Sequence, residues 1–149
     1  MKKNLKEKFK FSPDFPSYYL GIDYGESRVG LALADEEMRI AFSWDVIKND
    51  KSFFANLSGI IKKKKIKEVI IGIPFFVGLV KNEYAGKKLG DFLQKKIGVK
   101  VAYQNEMFST KMAHFNLKKQ GKKEIKKYDD KEAARIILQE WLDNKKIIK

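Results

Sequence analysis

The alternation of apolar and polar positions over residues 18–46 predicts three consecutive β-strands. Residues 18–23 form a short apolar run, and residues 28–35 ("RVGLALAD") alternate large aliphatic side chains with Gly or Ala. The link between them, "YGES", is short and contains Gly, which favours a β-hairpin. A third strand is expected at roughly 39–46, "RIAFSWDV".

The period of the pattern becomes helical after residue 50. Phe53, Leu57, Ile60 and Ile61 recur at the spacing of an amphipathic helix, and "NDKS" precedes them as an entry signal. The segments expected after this helix are a strand at 68–74, a helix at about 83–97, a strand at 99–106, a helix at 109–118, a loop or frayed turn at 118–127 and a helix at 130–143.

This order of elements predicts an α/β fold. Hairpins pair their strands antiparallel, whereas strand–helix–strand units pair them in parallel. We therefore expect a mixed five-stranded sheet, with three antiparallel strands followed by two parallel ones, flanked by helices.

The length of 149 residues suits one domain and is too short for two of comparable size. We expect residues 18–149 to form that domain and residues 1–17 to form a flexible basic arm, in which Pro13 and Pro16 oppose regular structure. No apolar stretch is long enough to cross a membrane, the arm lacks the features of a secretory signal, and the chain has no cysteine. A cytoplasmic protein with no membrane partner is the expectation.

The chain is strongly basic. Its formal net charge of +13 would attract a polyanion, so nucleic acid is the first candidate partner. Almost all of the excess is Lys, however, and a Lys-rich composition also arises from coding bias and solubility. Charge alone leaves these two explanations open.

Three carboxylates fall where the predicted fold would place a site. Asp23 follows the first strand and Glu106 follows the last, and ligands of open α/β sheets bind at the carboxyl ends of strands. Asp130 lies four residues before Ala134 on the apolar face of the final helix. Asp129 and Glu132 fit a helix capping box, which would leave Asp130 available for another role.

Carboxylates brought together repel one another unless a cation neutralises them. Oxygen ligands without cysteine suit Mg²⁺ or Mn²⁺, and such metals are typical of phosphodiester hydrolysis. Spacing alone leaves a second interpretation open, since each of these acids can equally be a helix cap or a surface charge.

Four motifs in order resemble the YqgF family of pre-16S ribosomal RNA processing nucleases, also described as Holliday-junction resolvases. They are "LGIDYGESRVGLALAD", "VIIGIPF", "NEMFST" and "DDKEAARIILQEWLD", and together they cover most of the chain after the N-terminal arm. The resemblance implies a ribonuclease H-like fold and a metal-dependent nuclease site. It places the family's acidic residues on Asp23, Glu106 and Asp130.

The chain departs from the family pattern at a few positions. Asn105 and Met107 replace the Asp and Arg that usually flank the Glu, and a Met cannot replace an Arg as a phosphate contact. The segment after Pro74 also differs, with "FFVGLVKNE" in place of a polar residue and an Asp-Gly turn.

Further residues are candidates for nucleic-acid binding. Ser109 and Thr110 can equally cap a helix, and the lysines can equally belong to a solvated loop. The candidates are Arg28, Ser109, Thr110, Lys122, Lys123, Lys126 and Lys127.

The sequence therefore predicts a metal-dependent nuclease in which Asp23, Glu106 and Asp130 are both catalytic residues and ligands of Mg²⁺ or Mn²⁺. By the resemblance, it would mature the 5′ end of precursor 16S ribosomal RNA and would meet precursors of the ribosomal subunit, as a monomer or homodimer. The alternatives are a resolvase of branched DNA and a nucleic-acid- or ribosome-binding protein of the same fold with little catalytic power.

Overall fold

Five strands form one mixed sheet at the centre of the protein. The computed structural model describes residues 17–73, 80–105 and 125–148. The sheet order is β3-β2-β1-β4-β5, with the first three strands antiparallel and the last two parallel to β1. This confirms the predicted topology. The strands are β1 (Tyr18–Tyr24), β2 (Arg28–Asp35), β3 (Phe42–Lys48), β4 (Ile66–Ile73) and β5 (Lys100–Asn105).

Three helices in the described ranges flank the sheet. They are α1 (Phe53–Lys63), α2 (Val80–Phe92), which continues as a π-helical turn over Leu93–Ile97, and α3 (Ile125–Ile148). The apolar face of α1 is that predicted, with Phe53, Leu57 and Ile61 buried. None of the helices in the described ranges is long and apolar enough to span a membrane.

The two faces of the sheet are covered by different helices. α1 and α2 pack on one face through large side chains, among them Leu57, Leu89 and Leu93, which meet Ile22 and Ile71. α3 covers the other face through Ala134, Ile137, Leu138 and Leu142. In β1 the even-numbered residues Leu20 and Ile22 face α1, and the odd-numbered residue Tyr19 faces α3.

Glycine permits the close approach of α3. A Cβ atom built on Gly21 would lie 2.7 Å from the Cβ of Leu138 and 2.9 Å from the carbonyl oxygen of Ala134. Any larger residue at position 21 would push the helix away from β1.

The predicted start of the final helix is wrong. α3 begins at Ile125, so Asp129 is not its N-cap and the expected capping box with Glu132 is absent. Instead, Glu132 binds Arg135, with Oε1 2.7 Å from Nε and Oε2 3.0 Å from Nη2. The segment from residue 125 to residue 130 contains no Gly or Pro, so nothing in it interrupts the helix, and part of the predicted 118–127 loop is helical.

The third strand also starts later than predicted. The Asp35 Oδ1 accepts hydrogen bonds from the backbone N–H groups of Glu37 and Met38, and Arg39 adopts a positive φ of 60°. These features form a turn, and β3 begins only at Phe42. The predicted helix at 109–118 lies outside the described residues.

Candidate active site

Asp23 lies at the carboxyl end of β1, on the face covered by α3. Tyr19, four residues earlier, packs edge-on against Trp141 of α3 at a ring distance of 5.2 Å, and Gly21 lies against Ala134 and Leu138. Because side chains alternate along a strand, Asp23 belongs to the same face as Tyr19 and Gly21. The side chain of Asp23 is partly exposed, as a ligand-binding carboxylate must be.

Gly30 brings Asp130 next to the strand that carries Asp23. In the antiparallel register Gly30 is the direct partner of Asp23. A side chain on Gly30 would overlap the backbone carbonyl of Asp130, so the helix touches β2 at this point. Asp130 lies one turn before Ala134, which contacts Gly21. The structure thus places Asp23 and Asp130 at the same corner of the molecule.

A positively charged side chain, that of Arg28, lies at the corner that holds these two acids. The Nε of Arg28, the first residue of β2, is 3.3 Å from Oδ2 of Asp130, and both side chains remain partly exposed at 33% and 25%. The sequence marked Arg28 for a phosphate contact but gave no sign of this ion pair. It joins residues about a hundred positions apart, and only the packing of α3 on β2 brings them together.

The turn between β1 and β2 is held by Asn49. Its side-chain amide donates to the carbonyl of Gly25 at 2.8 Å, and its backbone N–H donates to the carbonyl of Ser27 at 2.9 Å. In the sequence, Asn49 is the first residue of "NDKS", a segment that indicates only the start of a helix. Its bonds fix the short link that connects Asp23 to Arg28.

The other predicted site residues are placed only in part. Asn105 ends β5 beside Ile73, which ends the parallel strand β4. Glu106, Met107, Ser109, Thr110, Lys122 and Lys123 lie outside the described residues, while Lys126 and Lys127 belong to the first turn of α3 with only their backbone described. Within the described ranges, no three His, Cys, Asp or Glu side chains come together as a metal site.

Hydrogen bonds from Ser43 also tether α3 to the edge strand. The Oγ of Ser43 on β3 donates to Oε1 of Glu132 at 3.4 Å and to the carbonyl oxygen of Lys131 at 3.3 Å. Hydrogen bonding to Arg135 lowers the pKa of Glu132 and raises the pKa of Arg135. The carboxylate predicted as a cap thus holds the helix two residues from Asp130.

The fold is that of the RuvC-like enzymes of the ribonuclease H class. A solved structure of RuvC from Thermus thermophilus in complex with a Holliday junction substrate superposes with a TM-score of 0.56 at 19% identity, covering 87% of this chain and 96% of that chain. Likeness at this identity establishes the fold, and it confirms the ribonuclease H-like architecture expected from the motifs.

The chain belongs to the RuvX (YqgF) family, whose model, described as "Holliday junction resolvase", matches residues 17–144. A relative from Rickettsia africae is 35% identical, with 98% of each chain covered, and one from Anaeromyxobacter is 31% identical, with 85% of this chain and 97% of that protein covered. Both are named "Putative pre-16S rRNA nuclease". The family is one of nucleases, which hydrolyse phosphodiester bonds.

Proposed function

We propose that this protein is a metal-dependent nuclease that matures the 5′ end of precursor 16S ribosomal RNA in the cytoplasm. The observation that carries the proposal is the corner formed by Asp23, Asp130 and Arg28, where Gly30 lets the helix bring one acid beside the strand of the other. The names of the relatives from Rickettsia and Anaeromyxobacter support ribosomal precursor RNA as the substrate.

The donor atoms at this corner fit a hard divalent cation. Both described acids offer carboxylate oxygen, which suits Mg²⁺ or Mn²⁺ rather than a softer metal. We propose Asp23 and Asp130 as ligands and catalytic residues, with Glu106, the next residue in the sequence after the end of β5, as the third. When bound, such a metal activates a water molecule and stabilises the charge of the phosphoryl transition state.

The residues around the acids have separate tasks in this proposal. Arg28 pairs with Asp130 and presents a cation to the scissile phosphate. Asn49 fixes the turn so that Asp23 and Arg28 keep their relative positions. Ser109, Thr110, Lys122, Lys123, Lys126 and Lys127 are proposed to contact the nucleic-acid backbone, a sequence-independent role that suits lysine.

A second candidate function is the resolution of branched DNA. It is favoured by the description of the RuvX family and by the fold shared with RuvC. A third, a binding protein with little catalytic power, is favoured by Asn105 and Met107, which replace residues usual in the family.

Cleavage assays separate these functions. The protein is incubated with a precursor-like 16S RNA or with a four-way DNA junction in Mg²⁺ or Mn²⁺, with EDTA as the metal-free arm. We expect metal-dependent cutting of the RNA that Asp23→Asn abolishes, since an amide is a poor ligand for a hard cation. The matched control is Asp91→Asn, an exposed acid of α2, which should cut as the parent does.

The substrate that is cut decides between the candidates. Cutting of the junction alone would replace the proposed function with the resolvase, and binding of either substrate without cutting would replace it with the binding protein. Circular dichroism of the Asp23→Asn protein establishes that its loss of activity is not a loss of fold.

A further inference from the structure

An open groove of about 910 Å³ lies between the edge strand β3 and the exposed flank of α1. We call it the α1–β3 groove. Trp44 of β3 packs with the core on the α1 face of the sheet, so the groove lies on the face opposite to α3. The residues that matter for its chemistry are Trp44, Ala55, Gly59, Lys62, Lys63 and Lys64.

The floor of the α1–β3 groove is flat and accessible. Ala55 and Gly59 lie one helical turn apart on α1, and both are exposed. A Cβ on Gly59 would meet nothing within 4 Å, so a ligand can lie directly against the helix backbone. One wall is the ring of Trp44, half-buried and therefore held in place by the core beneath it.

The other wall is cationic. Lys62, Lys63 and Lys64 are all exposed, and the Nζ of Lys64 lies 5.4 Å from the centroid of the Trp44 ring. None of the residues lining the groove is acidic, and α1 itself contains no acidic residue. Lysines at a helix C-terminus also interact favourably with the helix dipole. That role does not explain why small residues, Ala55 and Gly59, line the groove or why Trp44 lies beside them.

An aromatic wall beside clustered cations matches the two parts of a nucleotide. A base stacks on an aromatic ring, and its phosphates pair with lysine. A base that enters the groove replaces the Lys64 ammonium on the face of Trp44, and the displaced lysine can then meet a phosphate. Double-stranded nucleic acid has no unstacked base to offer, so the groove fits a single strand.

The path of the chain connects the α1–β3 groove to the corner formed by Asp23, Asp130 and Arg28. Asn49, which follows β3, binds the turn between β1 and β2, and α1 begins four residues later at Phe53. From Phe53 to Gly59 the helix rises about 9 Å. A strand that passes from the corner around the end of β3 would therefore run along α1 towards Trp44.

We propose that the α1–β3 groove binds a single-stranded flank of the nucleic-acid substrate, with a base stacked on Trp44 and phosphates held by Lys62 and Lys63. The proposal deepens the nuclease function and rests on it for the identity of the ligand. The corner formed by Asp23, Asp130 and Arg28 would hold the scissile bond, and the α1–β3 groove would hold the single strand next to that bond.

Fluorescence tests the stacking directly. The chain has two tryptophans, so Trp141→Phe leaves Trp44 as the sole reporter and keeps a ring against Tyr19. A short oligouridylate is titrated into this protein in EDTA, where no cutting occurs. We expect saturable quenching of Trp44 emission, and oligonucleotide binding measured by anisotropy without quenching would overturn the proposal.

A matched pair of double variants tests the lysines. Lys62→Gln with Lys63→Gln removes two charges from the last turn of α1, and Lys95→Gln with Lys96→Gln removes two exposed charges from the last turn of the π-helical segment. Two lost phosphate contacts should make the slope of log affinity against log salt shallower by about 1.4 and weaken binding about tenfold. The second pair should bind within about twofold of the parent.

If both double variants weakened oligonucleotide binding equally, the groove proposal would be overturned, because binding would then respond only to the overall charge of the protein. Cleavage of RNA with and without a single-stranded flank keeps this result separate from the proposed function. If the parent cuts and the Lys62/Lys63 pair cuts both substrates like the parent, the groove proposal falls while the nuclease stands. If the parent cuts nothing yet quenches as expected, the groove stands without the nuclease.

Discussion

The two faces of the sheet are packed with side chains of different size. On the α1 face large residues such as Leu20, Ile22 and Leu31 meet Phe53 and Leu57. On the α3 face the strands present Gly21, Gly30, Ala32 and Ala34 to the helix. Helix α3 therefore lies close against the backbone of β1 and β2, while α1 packs through full side chains.

This difference assigns separate tasks to the two faces. The α1 face packs larger apolar side chains, and each of them contributes more to hydrophobic stabilisation than glycine or alanine does. The α3 face carries glycine and alanine in place of larger side chains. The helix can therefore approach closely enough to place Asp130 beside the strand that carries Asp23. Substitutions on the two faces should consequently separate stability from activity.

The largest effect on stability is expected on the α1 face. Leu57 is fully buried, so Leu57→Ala should lower the free energy of unfolding by about 3 kcal/mol through lost burial and a residual cavity. Cleavage per folded molecule should not change. Urea unfolding measures the first and active-site titration the second. The control, Ile40→Ala at a half-exposed site, should shift stability by under about 0.5 kcal/mol.

On the α3 face, Gly30→Ala should damage activity more than stability. The added methyl group overlaps the Asp130 carbonyl and displaces α3 at this point, at a cost of about 1–3 kcal/mol in stability. Misplacement of Asp130 by about 1 Å should lower cleavage about 100-fold. Gly59→Ala on open helix surface is the stability control and should stabilise by up to about 1 kcal/mol. Full cleavage by the Gly30→Ala protein would contradict this assignment of tasks.

The smallest effect concerns the ion pair between Glu132 and Arg135 within α3. Because Arg135 lowers the pKa of Glu132 in the folded protein, the pair stabilises the fold above the ordinary carboxyl pKa of 4.5 and loses that contribution as the pH falls below it. Glu132→Gln should cost about 0.5 kcal/mol at pH 7, since the pair is partly exposed, and nothing near pH 2. Thermal unfolding at several pH values measures this difference. An exposed control, Glu37→Gln, should show no such pH dependence.

Much of the fold could be predicted because its signals are local. The alternation in "RVGLALAD" and the short "YGES" link specify a hairpin by themselves, and Asp23 follows from the end of its strand. The start of α3 could not be read in this way, because Asp129 and Glu132 match a capping motif equally well inside a continuous helix. The start of α3 at Ile125 and the contacts of Glu132 with Arg135 and Ser43 distinguish the two arrangements.

The site was predictable only residue by residue. Asp23 and Asp130 each carry a local signal, but the pairing of Arg28 with Asp130 depends on contact between distant segments. The role of Gly30 likewise depends on which helix covers β2. Asp23, Asp130 and Glu106 as site residues stay predictions.

The contact between Gly30 and Asp130 also has a consequence for the order in which this protein folds during its own synthesis. The two acids lie more than a hundred positions apart in the chain, and the five strands of the described residues precede α3. Synthesis delivers the amino-terminal part of a chain first. A nascent chain whose five strands have left the ribosome still lacks Asp130. The corner of Asp23 and Asp130 therefore forms late in translation, after the sheet on which α3 packs.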